Sequence, residues 1–139
     1  MVVPVRFACL SGGAPLICSL WYLYEDGKFW LATQKGASVV NFVRANPNCG
    51  IEVAGEQPPY RGVRGQGVAR LDAAAGPAIL ERLIHRYLGE SDSSFARWLL
   101  SRRNDEIAIE VDPIWLTSWD FSPRMQGSGK GSSEASDRG

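Results

Sequence analysis

Through much of the chain apolar and polar residues alternate with a period of two, the pattern of strands that keep one face in a core. Arg6 to Leu10 and Leu16 to Tyr24 read as two strands, separated by the turn chemistry of Ser11-Gly12-Gly13-Ala14-Pro15. In the second of them Leu20, Trp21, Tyr22, Leu23 and Tyr24 are consecutive. A strand that fails to alternate is expected to be covered on both faces. After Glu25-Asp26-Gly27, a third strand places Phe29, Leu31 and Thr33 on one face and Trp30 and Ala32 on the other. The period then becomes helical. Ser38 is the expected N-cap of a segment through Ala45, with Val39, Phe42 and Val43 at helical spacing, and Asn46-Pro47-Asn48 stops it.

Cys49, Ile51 and Val53 alternate again, and Gln57-Pro58-Pro59 ends that strand. Tyr60 to Leu71 is a long strand interrupted by Gly62, Gly65 and Gly67. Glycines so placed mark a bend or bulge, or the close approach of a ligand or partner backbone. Gly76-Pro77 opens a helix whose stripe is Ile79, Leu80, Leu83, Ile84, Tyr87 and Leu88, closed by Gly89. His85 falls on the opposite, solvated face with Glu81, Arg82 and Arg86. Ser91-Asp92-Ser93 caps a short helix carrying Phe95, Trp98 and Leu99. Glu106 to Asp112 alternates with Ile107, Ile109 and Val111 inward, and beyond Pro113 a last strand puts Trp115, Thr117, Trp119 and Phe121 on one face. From Gly127 onward glycine and serine supply eight of thirteen residues, so a disordered tail is expected.

At 139 residues the chain is one domain's worth of material. Fifteen basic residues cancel fifteen acidic ones, which argues against a nucleic-acid binder working by bulk electrostatics. No apolar stretch is long enough to span a membrane. The opening MVVPVRFACLSGG lacks the pattern of an export signal, so a cytoplasmic location is expected. Cys9, Cys18 and Cys49 form no CxxC pair, and His85 is the one histidine, which leaves no metal site. In a reducing compartment the thiols are expected to pack as thiols. Five tryptophans point to a flat bound ring or a large interface as readily as to an aromatic core.

Six or seven short strands, small helices between them and no βαβ rhythm imply a mainly β fold, a closed antiparallel barrel. Side chains fill so small a barrel, so a ligand must sit in an outer groove or at a subunit boundary. The order of elements now resembles a known family. Leu10-Ser11-Gly12-Gly13-Ala14-Pro15, a Trp/Tyr-rich strand, Asp26-Gly27, a strand ending Ala32-Thr33, and a loop-helix closing in Arg44-Ala45-Asn46-Pro47 look like the flavin-binding split barrels typified by pyridoxamine 5'-phosphate oxidase. Pro58 to Gly67 and the ending from Pro113 through Ser122 are similar to stretches of its small members.

The resemblance implies a six-stranded antiparallel Greek-key split β-barrel over residues 1–124, followed by a Gly/Ser-rich tail at 125–139. It implies a homodimer with FMN at the subunit interface, and an oxidoreductase of unknown substrate and unknown catalytic residues. The backbone of Ser19, Leu20 and Trp21 would line the flavin ring, while Thr33, Gln34, Lys35, Ser38 and Val39 would surround the phosphate. A hydroxyl, a lysine and helix-start amides form a ready anion site. Val39 stands where the family usually has a lysine and cannot neutralise a phosphate, which shifts that role to Lys35. Gly62 stands near the position of the oxidase's flavin-contacting glutamine, and the oxidase's C-terminal arginine region is missing, so vitamin B6 oxidation is not expected. A deazaflavin with a longer acidic tail is the alternative cofactor, held by Arg61, Arg64 and Arg70; a non-catalytic flavin or tetrapyrrole carrier is the alternative role.

Overall fold

The computed structural model describes residues 2–89 and 93–120. The expected cap residues Ser91 and Asp92, the end of the last strand at Phe121, and the Gly/Ser tail lie outside these described residues. Seven strands and three α-helices follow in the order β1 (Val5–Ser11), β2 (Ala14–Leu20), β3 (Tyr22–Glu25), β4 (Lys28–Gln34), α1 (Ser38–Ala45), β5 (Asn48–Ala54), β6 (Arg61–Asp72), α2 (Gly76–Leu88), α3 (Ser94–Ser101) and β7 (Glu106–Asp120). A short 3-10 turn, Arg103–Asp105, precedes β7.

All strands join one antiparallel sheet in the order β2-β1-β5-β6-β7-β4-β3. Two features differ from the barrel read from sequence. The expected second strand is divided at Trp21 while the two expected around Pro113 are one, so the seven strands observed are differently bounded, and hydrogen bonds do not close the sheet. The division and the open sheet share one physical reason. Up to Leu20 this strand pairs with β1, and from Tyr22 it pairs with β4, so the two sheet edges are neighbours in the chain linked through one residue.

That division also explains the five consecutive apolar residues. Leu20 and Tyr22 pack against the barrel core, whereas Trp21 and Leu23 pack against α2. From Leu20 to Leu23 both faces are covered within the chain and only Tyr24 stays exposed, so this segment does not by itself require the subunit boundary that its sequence suggests.

The main core joins Val5, Phe7 and Cys9 of β1, Phe29 and Leu31 of β4, Ile51 of β5 and Ile107, Ile109 and Val111 of β7. Helix α1 inserts Val39, Val40 and Val43 into it. A second layer forms outside, where the α2 stripe of Ile79, Leu83 and Tyr87 covers Trp30, Ala32 and Ala108. On α3, Ala96 is buried and Leu99 half-buried, but Phe95 and Trp98 stay exposed, a phase the sequence pattern did not reveal. The helices therefore cover the β3-β4-β7 half of the outer surface. His85 is exposed, as expected.

In β7 the strands expected on either side of Pro113 are one continuous strand, with a register shift opposite Gln66/Gly67. There Gln66 pairs with Trp115 and Gly67 with Pro113, leaving Ile114 as an extra residue, the geometry of a bulge. Proline is tolerated in a strand at such a point. Gly65 and Gly67 of β6 serve this crossing. A Cβ on Gly65 would lie 2.1 Å from the Trp115 carbonyl oxygen, and one on Gly67 2.7 Å from that of Asp112. What approaches these glycines is the chain's own β7.

Buried charge ties the same strands together. Glu110 of β7, 5% exposed, accepts from Lys28 Nζ of β4 at 2.8 Å and from Arg70 of β6. These hydrogen bonds, that of Lys28 foremost, hold its carboxyl below the usual range. The expected consequence of Gly65→Ala is a loss of about 1–3 kcal/mol or more in unfolding free energy, because two backbones must separate. Urea denaturation measures it, and a variant as stable as the parent would show that the β6–β7 crossing can widen freely.

Candidate functional site

The turn between β4 and α1 holds most of the residues singled out from sequence. Gln34 O accepts from Ala37 N at 3.0 Å, and Lys35 N donates to Asp105 O at 2.8 Å, which fixes the turn against the chain preceding β7. The N-cap of α1 is Ala37, not Ser38, since the extended backbone ends one residue earlier. Ala37 offers no side-chain acceptor, and no acidic residue stands in the first turn. The helix start therefore presents amide groups without a side-chain cap, with the exposed residues Lys35 and Ser38 beside it. Thr33 is half-buried at the end of β4, paired with Ile107. Val39 is only 6% exposed and belongs to the barrel core.

Gln34 is engaged on both ends of its amide. Its Nε2 donates to Glu106 Oε2, and its Oε1 accepts from Arg102 Nη2 at 2.7 Å. Glu106 is 4% exposed, and burial pushes its carboxyl above the ordinary range against the opposing pull of Gln34 and Arg102. Sequence reasoning treated Glu106 only as the start of a strand and passed over Arg102. The two lie 72 and 68 residues from Gln34, and no local pattern announces the contact.

The expected ring-lining strand ends at the pivot. Trp21 stacks on Tyr87 of α2 with centroids 4.8 Å apart and planes 8° from parallel. The Tyr87 hydroxyl donates to Val3 O at 2.8 Å and accepts from Tyr22 N at 3.2 Å, and the Arg86 guanidinium lies 5.0 Å over the Tyr22 ring. Beside this pivot opens a cleft of about 710 Å³, lined by Val3, Tyr22, Val53, Gly55, Gln57 and Arg61 among others. Its size suits a small organic ligand.

Arg61 and Arg64 do not act together, because three residues along a strand place them on opposite faces. Arg61 lines the cleft. Arg64 lies in a cross-strand row, Ser19–Arg6–Glu52–Arg64–Thr117, on the outer face of the half-sheet without helices. Ser19 and Arg64 thus share a face but are three strands apart. Arg70 is committed to Glu110. Farther along the open face Ile17, Val68 and Trp115 are exposed, and the exposed Ile114 lines a groove of about 430 Å³ together with Ala8 and Gly50.

The three thiols are free. Cys9 and Cys49 are buried, and burial pushes the Cys49 thiol up to about 11, which makes it a poor nucleophile near neutral pH. No helix among the described residues is long and apolar enough to cross a membrane.

No family model matches the chain, and no curated protein matches it in sequence. Solved structures match it in fold. The conserved hypothetical protein Rv2991 from Mycobacterium tuberculosis superposes with a TM-score of 0.72 at 22% identity, covering 96% of this chain and 86% of its own. An F420 reductase gives 0.70 at 18% identity, covering 83% and 89%. A candidate pyridoxamine 5'-phosphate oxidase from Listeria innocua gives 0.63 at 16% identity, covering 83% and 86%.

The buried carboxyl beside the β4–α1 turn has a measurable signature. A folded-state value raised above the ordinary 4.5 means the folded protein holds this proton longer than the unfolded chain. Its contribution is fully present below that pH and is lost as pH rises through the folded value. Glu106→Gln keeps an acceptor for Gln34 Nε2 and removes the titration. The variant should match or exceed the parent's stability at pH 7 and lose less stability as pH rises from about 4.5. Thermal melts across that range check it; parallel curves for the two proteins would mean that Glu106 ionises in the fold without cost.

Proposed function

From a chain with the split-barrel fold of pyridoxamine 5'-phosphate oxidase-like proteins, we propose a flavin-binding protein, FMN being the cofactor, that acts as a cytoplasmic oxidoreductase. The observation that carries this reading is the uncapped start of α1. Its free amides, the positive end of its dipole, and the neighbouring Thr33, Lys35 and Ser38 form a donor set suited to a phosphate. Val39 contributes backbone only, since its side chain is in the core. The backbone of Ser19 to Trp21 runs beside the cleft at Tyr22 and Arg61, and its rigidity comes from Leu20 and Tyr22 in the core and Trp21 on Tyr87.

When bound, a flavin supplies hydride or electron transfer. The chain's own work is to hold the phosphate at the turn, to fix the ring against a strand that packing immobilises, and to orient a substrate in the cleft through Arg61. None of these tasks needs a protein acid or base. The buried thiols are poorly suited to the chemistry, and Glu106 is occupied by Gln34. Deazaflavin is the second reading, in which Arg61 at the cleft would meet the longer acidic tail.

The open half-sheet, with Ile17, Ile114 and Trp115 exposed, is the surface on which a homodimer would form, in place of the Leu20–Leu23 segment that the chain itself covers. Apolar patches of this kind mark interfaces. Light scattering should return a dimer mass at low micromolar concentration, and Ile114→Lys should shift it toward monomer; a monomeric parent overturns the dimer.

Titration of the purified protein with FMN, riboflavin and a deazaflavin tests the cofactor. FMN should bind more tightly than riboflavin, and Lys35→Ala should weaken FMN by about one to two orders of magnitude while leaving riboflavin unchanged. Salt should weaken the parent more than the variant. Equal affinities of parent and variant for FMN would remove Lys35 from the site, and absence of any flavin binding would overturn the reading.

A further inference from the structure

Helix α3 leaves two large aromatic rings half in solvent. Phe95 is 51% and Trp98 50% exposed, and their rings stack with centroids 6.2 Å apart and planes 16° from parallel. The fold does not need them there, because Ala96, Leu99 and Leu100 pack this helix onto α2. Arg102, just past the helix, connects these rings to the β4–α1 turn. Its guanidinium lies 4.7 Å over the Trp98 ring, and its Nη2 donates to Gln34 Oε1 at 2.7 Å. Among the described residues no carboxylate lies within salt-bridge distance of Arg102. A guanidinium has five donors, so one bond to Gln34 leaves others to spare.

We infer that Arg102, Trp98 and Phe95 form a subsite for the adenosine diphosphate half of a dinucleotide whose flavin-side phosphate rests on the Thr33–Ser38 turn. The inference rests on the phosphate reading of that turn and extends it from FMN to flavin adenine dinucleotide. The chemistry is complementary. A planar guanidinium with donors to spare beyond its bond to Gln34 recognises a phosphate through paired hydrogen bonds, and a half-exposed indole stacks a purine. The contacts through Arg102 place the two elements side by side, as a diphosphate–ribose–purine chain demands. A nicotinamide dinucleotide carries the same half, so the experiment must separate the two sources.

Affinities of FMN, FAD, ADP and NADH for the parent protein, Trp98→Ala and Arg102→Gln, read from flavin or tryptophan fluorescence, test it. FAD should bind the parent about tenfold to a hundredfold more tightly than FMN. Trp98→Ala should bring FAD down to the affinity of FMN without changing FMN, Trp98→Phe should restore part of the difference, and ADP should compete with FAD. Arg102→Gln should reduce the FAD preference and the ADP competition together. Equal affinity of FAD and FMN for the parent, or equal loss of both in Trp98→Ala, overturns the inference while leaving the FMN reading standing. Trp98-dependent binding of NADH without a preference for FAD assigns the subsite to a nicotinamide donor and overturns the flavin dinucleotide. Binding of neither FMN nor FAD overturns the phosphate reading of the turn itself.

Discussion

The architecture depends on a change of partner within one strand. At Trp21 the chain leaves β1 and takes up β4, so a sheet that hydrogen bonds leave open is joined covalently from edge to edge. Such a junction has no ladder of its own to hold it. Its support comes from Tyr87, whose ring stacks on Trp21 and whose hydroxyl both donates to Val3 O and accepts from Tyr22 N. A half-buried phenol with both hydrogen-bonding roles filled gives fixed geometry at a point where regular pairing cannot. Helix α2 is thereby more than a cover for one sheet face; it sets the position of the strand next to the cleft.

Two buried carboxylates on β7 show how the same strand face serves different ends. Glu110 meets two cations from neighbouring strands, which favours its charge and clamps β4, β7 and β6. Glu106, four residues earlier, meets an amide with an arginine behind it, and burial dominates. The first arrangement stabilises the charged form; the second orients Gln34 and, through it, Arg102. Buried charge without pairing would be costly in either place.

The division of the outer surface explains where function can sit. Helices α2 and α3 cover the half-sheet of β3, β4 and the start of β7, while the half built from β2, β1, β5, β6 and the end of β7 is open. Buried side chains of β1, β4, β5, β7 and α1 pack the interior, and the surfaces that offer themselves to ligands and partners are the cleft at the pivot, the β4–α1 turn with the exposed rings of α3, and this open half. Thr33, Lys35, Ser38 and Arg61 map to those places, whereas packing takes the side chains of Val39 and Leu20 to the core and Arg70 is committed to Glu110.

The sequence by itself determined the local elements. Period-two alternation marked β1, β4, β5 and the first half of β7, the Ile79–Leu88 stripe marked α2, and Ser93 with its Oγ accepting from Ala96 N realised a cap legible in the chain. These follow from interactions within a few residues, where pattern and geometry are the same thing. The motif order also carried the split-barrel fold and drew attention to Thr33, Lys35 and Arg61. Only the tertiary structure decided that Trp21 divides a strand, that Ala37 and not Ser38 caps α1, that Val39 is interior, and that Phe95 and Trp98 face outward. It alone brought Glu106 and Arg102 to Gln34 and Tyr87 to Trp21, across separations of 66 to 72 residues. The reason is physical: a single amphipathic element shows which face is apolar, but which neighbour covers that face, and which polar group meets a buried partner, is fixed only when the sheet's register and the helices' docking are chosen together.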